Sequence, residues 1–198
     1  LGRDGDDYHI AMEYVEGLDM RELLRRAAHQ RVPLPIAHSL YVIVNVLRGL
    51  DHAHRQRDEC GNPMQIIHRD VSPANVLLSF EGEVKLCDFG IARAGSAMRV
   101  DDAYQGKAGY MSPEQARGEV LDTRSDVFAV GIMLWELLAG KRLYKAKQGE
   151  SLLDVARQGV VPALPRRGFS EEEQLHAIVY KALAERREER YSSARAML

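Results

Sequence analysis

The hydrophobic pattern of this chain is mostly helical. Between residues 36 and 54, apolar side chains recur every three or four positions, which predicts a long amphipathic helix. Residues 126–138 are apolar on nearly all faces, as expected for a helix buried at the centre of a domain. A third helix is predicted over 170–183, where Ser170 and Glu173 form a capping-box pattern before an apolar stripe.

The amino-terminal part predicts a strand followed by a short helix. The segment "YHIAMEYV" (8–15) mixes β-branched, aromatic and apolar residues and is followed by Gly17, which favours a strand that ends there. Asp19 and Glu22 then form another capping-box pattern, so we expect a helix that runs to about Ala28.

A β-hairpin is predicted in the middle of the chain. Residues 76–79 and 83–87 flank a turn that contains Gly82. Residues 55–63 and 91–111 show neither helical nor strand periodicity and read as surface loops. The predicted fold class is therefore α+β, mainly helical with one small strand pair.

Composition excludes several function classes. The formal net charge is −2, which argues against a general nucleic-acid or anionic-membrane binder. The two cysteines, Cys60 and Cys87, are 27 positions apart and have no metal-ligand spacing. We therefore expect no disulfide framework and no zinc site, and a reducing compartment fits best.

No membrane segment is expected within this chain. It opens without the apolar run of a signal peptide, and its most apolar stretch, 127–135, is nine residues long and too short to span a bilayer. A first residue of Leu1 rather than Met indicates a piece of a longer protein. The expected location is the cytoplasm, either free or as the cytoplasmic part of a membrane-anchored parent.

Three polar residues have the spacing that phosphoryl transfer requires. That chemistry needs a carboxylate to orient the attacking hydroxyl, together with oxygen ligands that hold Mg²⁺ against the nucleotide phosphates. Asp70 and Asn75 lie on one tight loop that contains Pro73, and Asp88 follows the predicted hairpin. These residues are the candidate catalytic and metal-binding groups.

Three motifs in order resemble those of eukaryotic-like protein kinases. They are "HRDVSPANVLL", "VKLCDFGIA" and "GYMSPEQ", which are similar to the catalytic loop, the magnesium motif and the end of the activation segment. The resemblance is to bacterial, myxobacterial-type Ser/Thr kinases. It implies the last amino-terminal-lobe strand and hinge at 1–17 and the carboxy-terminal lobe at 18–198, with catalytic loop 68–75 and activation segment 88–114.

The resemblance also implies a role for individual residues. Asp70 would be the catalytic carboxylate, and Asn75 and Asp88 would bind Mg²⁺ and ATP. "MEYVEG" is similar to the hinge that hydrogen-bonds adenine, with Met12 as gatekeeper and Glu13 and Val15 beside the nucleotide. The implied partners are ATP and a protein with a Ser or Thr hydroxyl, a preference over Tyr that rests on the form of "YMSPEQ".

Other positions match structural residues of the family. Asp126 would hold the backbone of the catalytic loop, although a helix N-cap is an equally good interpretation. Glu114 matches a carboxylate that pairs with Arg190. The resemblance further implies that His68 and Phe89 stack in a regulatory column and that Arg69 receives a negative charge from the activation segment.

Two departures from the family pattern bear directly on catalysis. It has no glycine-rich loop, strand lysine or helix glutamate, so about 80 residues of a complete kinase would lie before Leu1. Ser72 stands where these kinases carry Lys, and Lys107 stands where they carry Thr. Our hypothesis is that Lys107 delivers its ammonium to the transferred phosphate while Ser72 supplies the hydroxyl.

Two other functions compete with an active protein kinase. A pseudokinase-like scaffold would explain Ser72, but it has no need of Asp70, Asn75 and Asp88 together. A small-molecule phosphotransferase also places His, Asp and Asn at similar spacing, yet it predicts no "SPE" segment. An active kinase with a protein substrate is favoured over both of these functions. The isolated chain is expected to bind ATP poorly.

Overall fold

The computed structural model describes residues 2–4, 7–9, 11–89 and 108–198. The strands are β1 (Gly2–Asp4), β2 (Asp7–His9), β3 (Gly17–Asp19), β4 (Val76–Ser79) and β5 (Val84–Leu86). The α-helices are α1 (Met20–Gln30), α2 (Ile36–His54), α3 (Pro113–Arg117), α4 (Arg124–Ala139), α5 (Leu152–Gln158), α6 (Glu172–Ala182) and α7 (Ala194–Met197). Single 3₁₀ turns cover Pro73–Asn75 and Arg187–Glu189. The predicted α+β, mainly helical class is confirmed.

Helix α4 forms the centre of the core. It packs against α2, α6 and α7, so apolar neighbours surround it on several sides. Phe128, Ile132 and Trp135 are fully buried, and Trp135 donates its indole N–H to the carbonyl of Pro162 at 3.0 Å. A helix without a polar face is stable only in such a position. The prediction of a buried central helix is therefore confirmed, as is the amphipathic helix α2 over 36–54.

A three-stranded antiparallel sheet has the order β3-β4-β5. The predicted hairpin is confirmed as β4 and β5, and Gly82 in its turn has φ of 92°. The third strand, β3, was not predicted. At its first residue, Gly17, any Cβ would lie 1.9 Å from the carbonyl oxygen of Leu78 on β4. Glycine at this position therefore permits the close approach of the two strands.

The predicted strand over 8–15 is mostly wrong. Among the described residues of this segment, only those of the strand Asp7–His9 pair with another strand, Gly2–Asp4, and residues 11–15 have no regular structure. A single apolar run does not create a strand where no partner strand continues beside it.

Helix α1 begins as predicted but is longer. Asp19 accepts the backbone N–H of Glu22 at 2.8 Å, which is the predicted cap. The helix continues beyond Ala28 to Gln30 and ends at Arg31 in the left-handed conformation, with φ of 56°.

The predicted cap of the helix at 170–183 is wrong. Helix α6 begins at Glu172, and no side chain caps it. The Glu172 carboxylate instead accepts the backbone N–H groups of Arg167 and, at 3.1 Å, Gly168. The Ser170 hydroxyl donates to the adjacent Glu171 carboxylate and caps no helix N–H. Glu172 satisfies the N–H groups of the preceding loop, which need an acceptor.

Among the described residues, no helix is long and apolar enough to cross a bilayer. The predicted loop over 91–111 lies outside the described residues up to position 107.

A buried ion pair joins α3 to the carboxy-terminal end of the chain. Both terminal nitrogens of the Arg190 guanidinium donate to the Glu114 carboxylate, at 2.7 and 2.8 Å. The Arg190 side chain is 0 % exposed and that of Glu114 is 6 % exposed. Burial alone would raise the pKa of Glu114, but the hydrogen bonds and charge of Arg190 outweigh it and lower that pKa to about 2.

We expect Glu114→Gln to lower the free energy of unfolding at pH 7 by about 3 kcal/mol, because it leaves the Arg190 charge buried without its counter-ion. The depressed pKa of Glu114 makes its contribution complete above about pH 4.5 and progressively lost as the pH falls towards 2. The difference between wild type and variant should therefore shrink over that interval. Urea denaturation at several pH values measures it.

Glu173→Gln is the matched control, since Glu173 is exposed and pairs with an exposed Arg166. The control should change the free energy of unfolding by less than about 0.5 kcal/mol. Equal losses in the two variants would contradict a special role for the buried pair.

Candidate active site

One buried carboxylate fixes the start of the predicted catalytic loop. Asp126, in the first turn of α4, accepts the backbone N–H of His68 at 2.8 Å and that of Arg69 at 2.9 Å. The side chain of His54, at the end of α2, also contacts this carboxylate through Nε2 at 2.8 Å. Asp126 is 1 % exposed and is not the N-cap, which is Thr123. Asp126 therefore holds the backbone of the catalytic loop and does not cap the helix. We call its two bonds to the His68 and Arg69 N–H groups the clamp.

The clamp stabilises a strained backbone. Arg69 has φ of 65°, in the left-handed region that residues other than glycine rarely adopt. This backbone conformation typically costs about 1–3 kcal/mol of folding free energy. A second contact supports the same peptide, since the Gln115 side chain of α3 donates to the Arg69 carbonyl at 2.7 Å. The loop thus has its unusual conformation imposed by side chains of two helices.

His68 connects the loop to the segment after β5. It is fully buried, and its Nε2 lies 2.9 Å from the Cys87 carbonyl oxygen. Its Nδ1 accepts the Asp70 backbone N–H at 3.3 Å, so the proton resides on Nε2. The rings of His68 and Phe89 lie 4.5 Å apart between centroids, and the predicted contact of this pair is confirmed.

Asn75 holds the other end of the loop. Its side-chain nitrogen donates to the Asp70 carbonyl at 2.7 Å, and its backbone carbonyl accepts the Cys87 N–H at 2.9 Å. The amide nitrogen is therefore committed to the loop, and Oδ1 is the oxygen that remains for a ligand. Asn75 is 8 % exposed, whereas Asp88 is exposed and has φ of 57°.

The donor set is of the kind that Mg²⁺ takes. Asn75 contributes an amide oxygen and Asp88 a carboxylate, and Mg²⁺ completes its shell with phosphate and water oxygens. No group of three or more His, Cys, Asp or Glu residues in the described ranges is arranged to hold a metal. A metal at these two residues would thus depend on a phosphate-bearing ligand.

The remaining predicted residues lie in different surroundings. Ser72 is buried directly before the 3₁₀ turn, and its carbonyl accepts the Asn75 N–H at 3.0 Å. Met12 is 69 % exposed, Val15 is half-buried, and the Glu13 carboxylate pairs with Lys85 of β5. Lys107 lies outside the described residues, so its proposed exchange with Ser72 stays a prediction.

Comparison with known proteins gives the family. The sequence profile described as "Protein kinase domain" matches residues 2–198. The chain belongs to the protein kinase family. Protein kinases as a family use ATP and Mg²⁺, and the match disfavours the small-molecule phosphotransferase.

Two similar proteins are kinases from bacteria. This kinase chain is 40 % identical to the tyrosine-protein kinase MasK of Myxococcus xanthus, over 96 % of this chain and 30 % of that protein. It is 38 % identical to the serine/threonine-protein kinase PknB of Mycobacterium tuberculosis, over 96 % of this chain and 29 % of that protein. The chain thus spans about a third or less of the length of these relatives.

A solved structure has the same fold. The crystal structure of the Mycobacterium tuberculosis PknI kinase domain aligns with a TM-score of 0.62 at 27 % identity. The alignment covers 94 % of this kinase chain and 61 % of that chain.

Two contacts in this kinase chain were missed by the sequence analysis. His54 lies 72 positions from Asp126, and Gln115 lies 46 positions from Arg69. Neither pair carries a local sequence signal. The Glu in "SPEQ" was recognised, and the neighbouring Gln115 could have been found only from the fold.

Arg69 has a buried polar atom for which the described residues offer no hydrogen-bond partner. Within the described part of the chain, its Nε has no hydrogen-bond acceptor. A buried guanidinium N–H that lacks an acceptor is costly, and an anion beside it would relieve the cost. This geometry agrees with the predicted role of Arg69 as the receiver of a negative charge.

We expect Asp126→Asn to destabilise the catalytic loop. The amide keeps the shape of the side chain, but its NH₂ group would face a backbone N–H where a carboxylate oxygen now accepts. The expected loss is about 1–3 kcal/mol, with faster hydrogen exchange at the amides of His68 and Arg69. Native-state hydrogen exchange measures both effects.

Asp51→Asn is the control, because the Asp51 carboxylate on α2 pairs with the exposed Arg55 directly after that helix, away from the catalytic loop. In the Asp51→Asn variant, the amides of His68 and Arg69 should exchange at the wild-type rate. Unchanged exchange in Asp126→Asn would contradict the clamp.

Proposed function

We propose that this chain is the phosphate-transferring part of an active protein kinase, which moves the γ-phosphoryl group of ATP to a Ser or Thr hydroxyl of a protein. The observation that supports this most is the set of bonds between the catalytic loop and the segment after β5. Asn75 bonds both Asp70 and Cys87 through its side chain and backbone, and His68 bonds Cys87 as well. These bonds connect the backbone of the loop that contains Asp70 and Asn75 to the backbone of the segment that contains Asp88.

In this proposal Asp70 is the catalytic carboxylate. Its carboxylate accepts the hydrogen bond of the substrate hydroxyl and orients the hydroxyl oxygen towards the γ-phosphorus. It receives the hydroxyl proton as the new O–P bond forms, while the bond between the γ-phosphorus and the β–γ bridging oxygen breaks and ADP leaves. Asn75 Oδ1 and the Asp88 carboxylate would hold Mg²⁺, which would supply positive charge against the nucleotide phosphates.

The hinge residues are proposed to bind the nucleotide base. Met12, Glu13 and Val15 lie in the irregular segment before β3. Strand β3 pairs with β4, which begins directly after Asn75. The ion pair between Glu13 and Lys85 ties this segment to β5. Both sides of a nucleotide site would thus be linked through the same small sheet.

The substrate hydroxyl has two candidates. The relative PknB is named a serine/threonine-protein kinase and the relative MasK a tyrosine-protein kinase. We place Ser/Thr first, on the form of "YMSPEQ", and Tyr second, on the 40 % identity to MasK.

The test uses the natural full-length protein with labelled ATP, Mg²⁺ and three peptides that differ only in a single Ser, Thr or Tyr. We expect transfer to Ser or Thr, and Asp70→Asn should lower kcat by about 10²–10⁴-fold with an unchanged unfolding temperature. Glu83→Gln, at the exposed hairpin turn, is the control and should keep full activity. Transfer to Tyr alone would reverse the order of the two substrates.

Absence of transfer to any peptide, in protein that folds and binds ATP, would favour the pseudokinase-like scaffold. Equal rates in wild type and Asp70→Asn would contradict the proposed role of Asp70.

The exchange of Ser72 and Lys107 has its own test. We expect Lys107→Thr to lower kcat by about tenfold or more, because it removes the only ammonium assigned to the transferred phosphate. The double variant with Ser72→Lys and Lys107→Thr should recover much of the loss, since it restores the usual arrangement of the family. Wild-type phosphorylation by Lys107→Thr alone would end the hypothesis.

A further inference from the structure

A pocket of about 660 Å³ lies beside the catalytic loop. Its walls come from α1, the segment after it, the carboxy-terminal end of α4 and the turn at 140–142. This volume is in the range of pockets that hold a ligand of several groups, not one side chain. We call it the α1–α4 pocket.

The pocket adjoins the catalytic residues. Pro73, in the 3₁₀ turn that ends at Asn75, forms part of its wall, and so does Tyr110, three residues before α3. Helix α1 packs directly on that 3₁₀ turn. A peptide that presents a hydroxyl to Asp70 can therefore extend into the pocket within a few residues of extended chain.

The floor of the α1–α4 pocket is apolar. It includes Met20, Leu24, Ala28, Val32, Leu34 and Leu137. Val32, one of these lining residues, is 57 % exposed, which is high for a branched apolar side chain in a concave surface. An apolar ligand group would remove this surface from water and gain the corresponding free energy.

The rim carries positive charge. Six exposed cationic side chains line the pocket: Arg21, Arg25, Arg31, Lys141, Arg142 and Arg167. Arg25 is paired with Glu22, and Arg142 with Glu136. In the described ranges, the side chains of Arg31, Lys141 and Arg167 form no ion pair with a carboxylate, and the Lys141 ammonium lies 5.8 Å from the centroid of the Trp135 ring. The chain as a whole has a net charge of −2, so this concentration of cations is local.

The single acid in the lining is already satisfied. Glu136 accepts the Tyr110 hydroxyl at 2.7 Å, the Arg142 guanidinium at 3.0 Å and the Leu143 N–H at 3.0 Å. Its side chain is 10 % exposed. Among the described residues of the lining, a basic ligand would thus find no available carboxylate, whereas an acidic ligand would meet three cationic side chains that form no ion pair.

We propose that the α1–α4 pocket binds an acidic segment of the protein substrate, anchored by one apolar side chain close to the phosphorylated residue. This inference rests on the proposed function, and it adds the class of substrate. The apolar floor favours a peptide over a nucleic acid, whose backbone offers no apolar anchor. The concave shape favours a peptide over the flat surface of a membrane.

Binding is measured by fluorescence anisotropy on the natural full-length protein. The probe is a labelled peptide with four glutamates, one leucine and one serine; one comparison peptide replaces the glutamates by lysines and another replaces the leucine by glutamine. We expect the acidic leucine peptide to bind about tenfold more tightly than either comparison peptide at low salt. Its affinity should fall as the salt concentration rises.

Charge reversal identifies the site. The triple variant Arg31→Glu, Lys141→Glu and Arg167→Glu should lose about tenfold in affinity for the acidic peptide. A control triple variant, Arg48→Glu, Lys145→Glu and Arg195→Glu, makes the same change in net charge at exposed positions outside the pocket lining. It should lose less than about threefold, and unfolding temperatures should confirm that both variants fold.

Failure of this inference and failure of the proposed function give different results. If the kinase phosphorylates acidic and basic peptides with equal kcat/KM and binds them equally, the pocket assignment is overturned and the kinase activity stands. If the acidic peptide binds through the three cations but no peptide is phosphorylated, the pocket stands and the proposed function fails. Equal losses of peptide affinity in the two triple variants would also overturn the pocket assignment. So would displacement of the peptide by phosphatidylserine vesicles but not by neutral vesicles.

Discussion

The arrangement of this chain depends on one buried carboxylate, that of Asp126. It joins the most buried helix of the fold to the loop that carries the candidate chemistry, by accepting two consecutive backbone N–H groups. Those bonds hold Arg69 in a backbone conformation that its own sequence does not favour. Because α4 is packed on several sides, the position of Asp126 is fixed, and the loop inherits that rigidity.

The neighbouring residue connects a second part of the fold to the same point. Ser125 donates its hydroxyl to Glu114 at 2.8 Å, and Glu114 pairs with the buried Arg190. The first turn of α4 therefore anchors the catalytic loop through Asp126, and α3 with the end of the chain through Ser125. Buried ion pairs of this kind contribute little net stability, but removal of one partner is costly. Their effect is to impose one arrangement on segments that are distant in the sequence.

The sequence predicted those features that have a local pattern or a family motif. The apolar period of α2 and the uniformly apolar character of α4 gave both helices, and the motifs gave the pairs Glu114–Arg190 and His68–Phe89. Strand β3 was missed because a three-residue strand exists only through its partner, and Gly17 reads as a strand end when taken alone. The Ser170 cap was wrongly predicted because Ser170 bonds to Glu171, Glu173 pairs with Arg166, and the helix begins only at Glu172. The contacts of His54 and Gln115 required the fold itself, since no short-range pattern links residues so far apart.

The central claim is that the clamped loop presents Asn75 and Asp88 together as a metal site for phosphoryl transfer. The most direct measurement is paramagnetic broadening by Mn²⁺ with a non-hydrolysable ATP analogue, recorded on the NMR signals of the natural full-length kinase. The account predicts that the Asn75 side-chain amide and the Asp88 backbone amide broaden together, and that Asp126→Asn weakens both effects. Sharp signals from these two residues, with broadening at a different set of carboxylates, would contradict it.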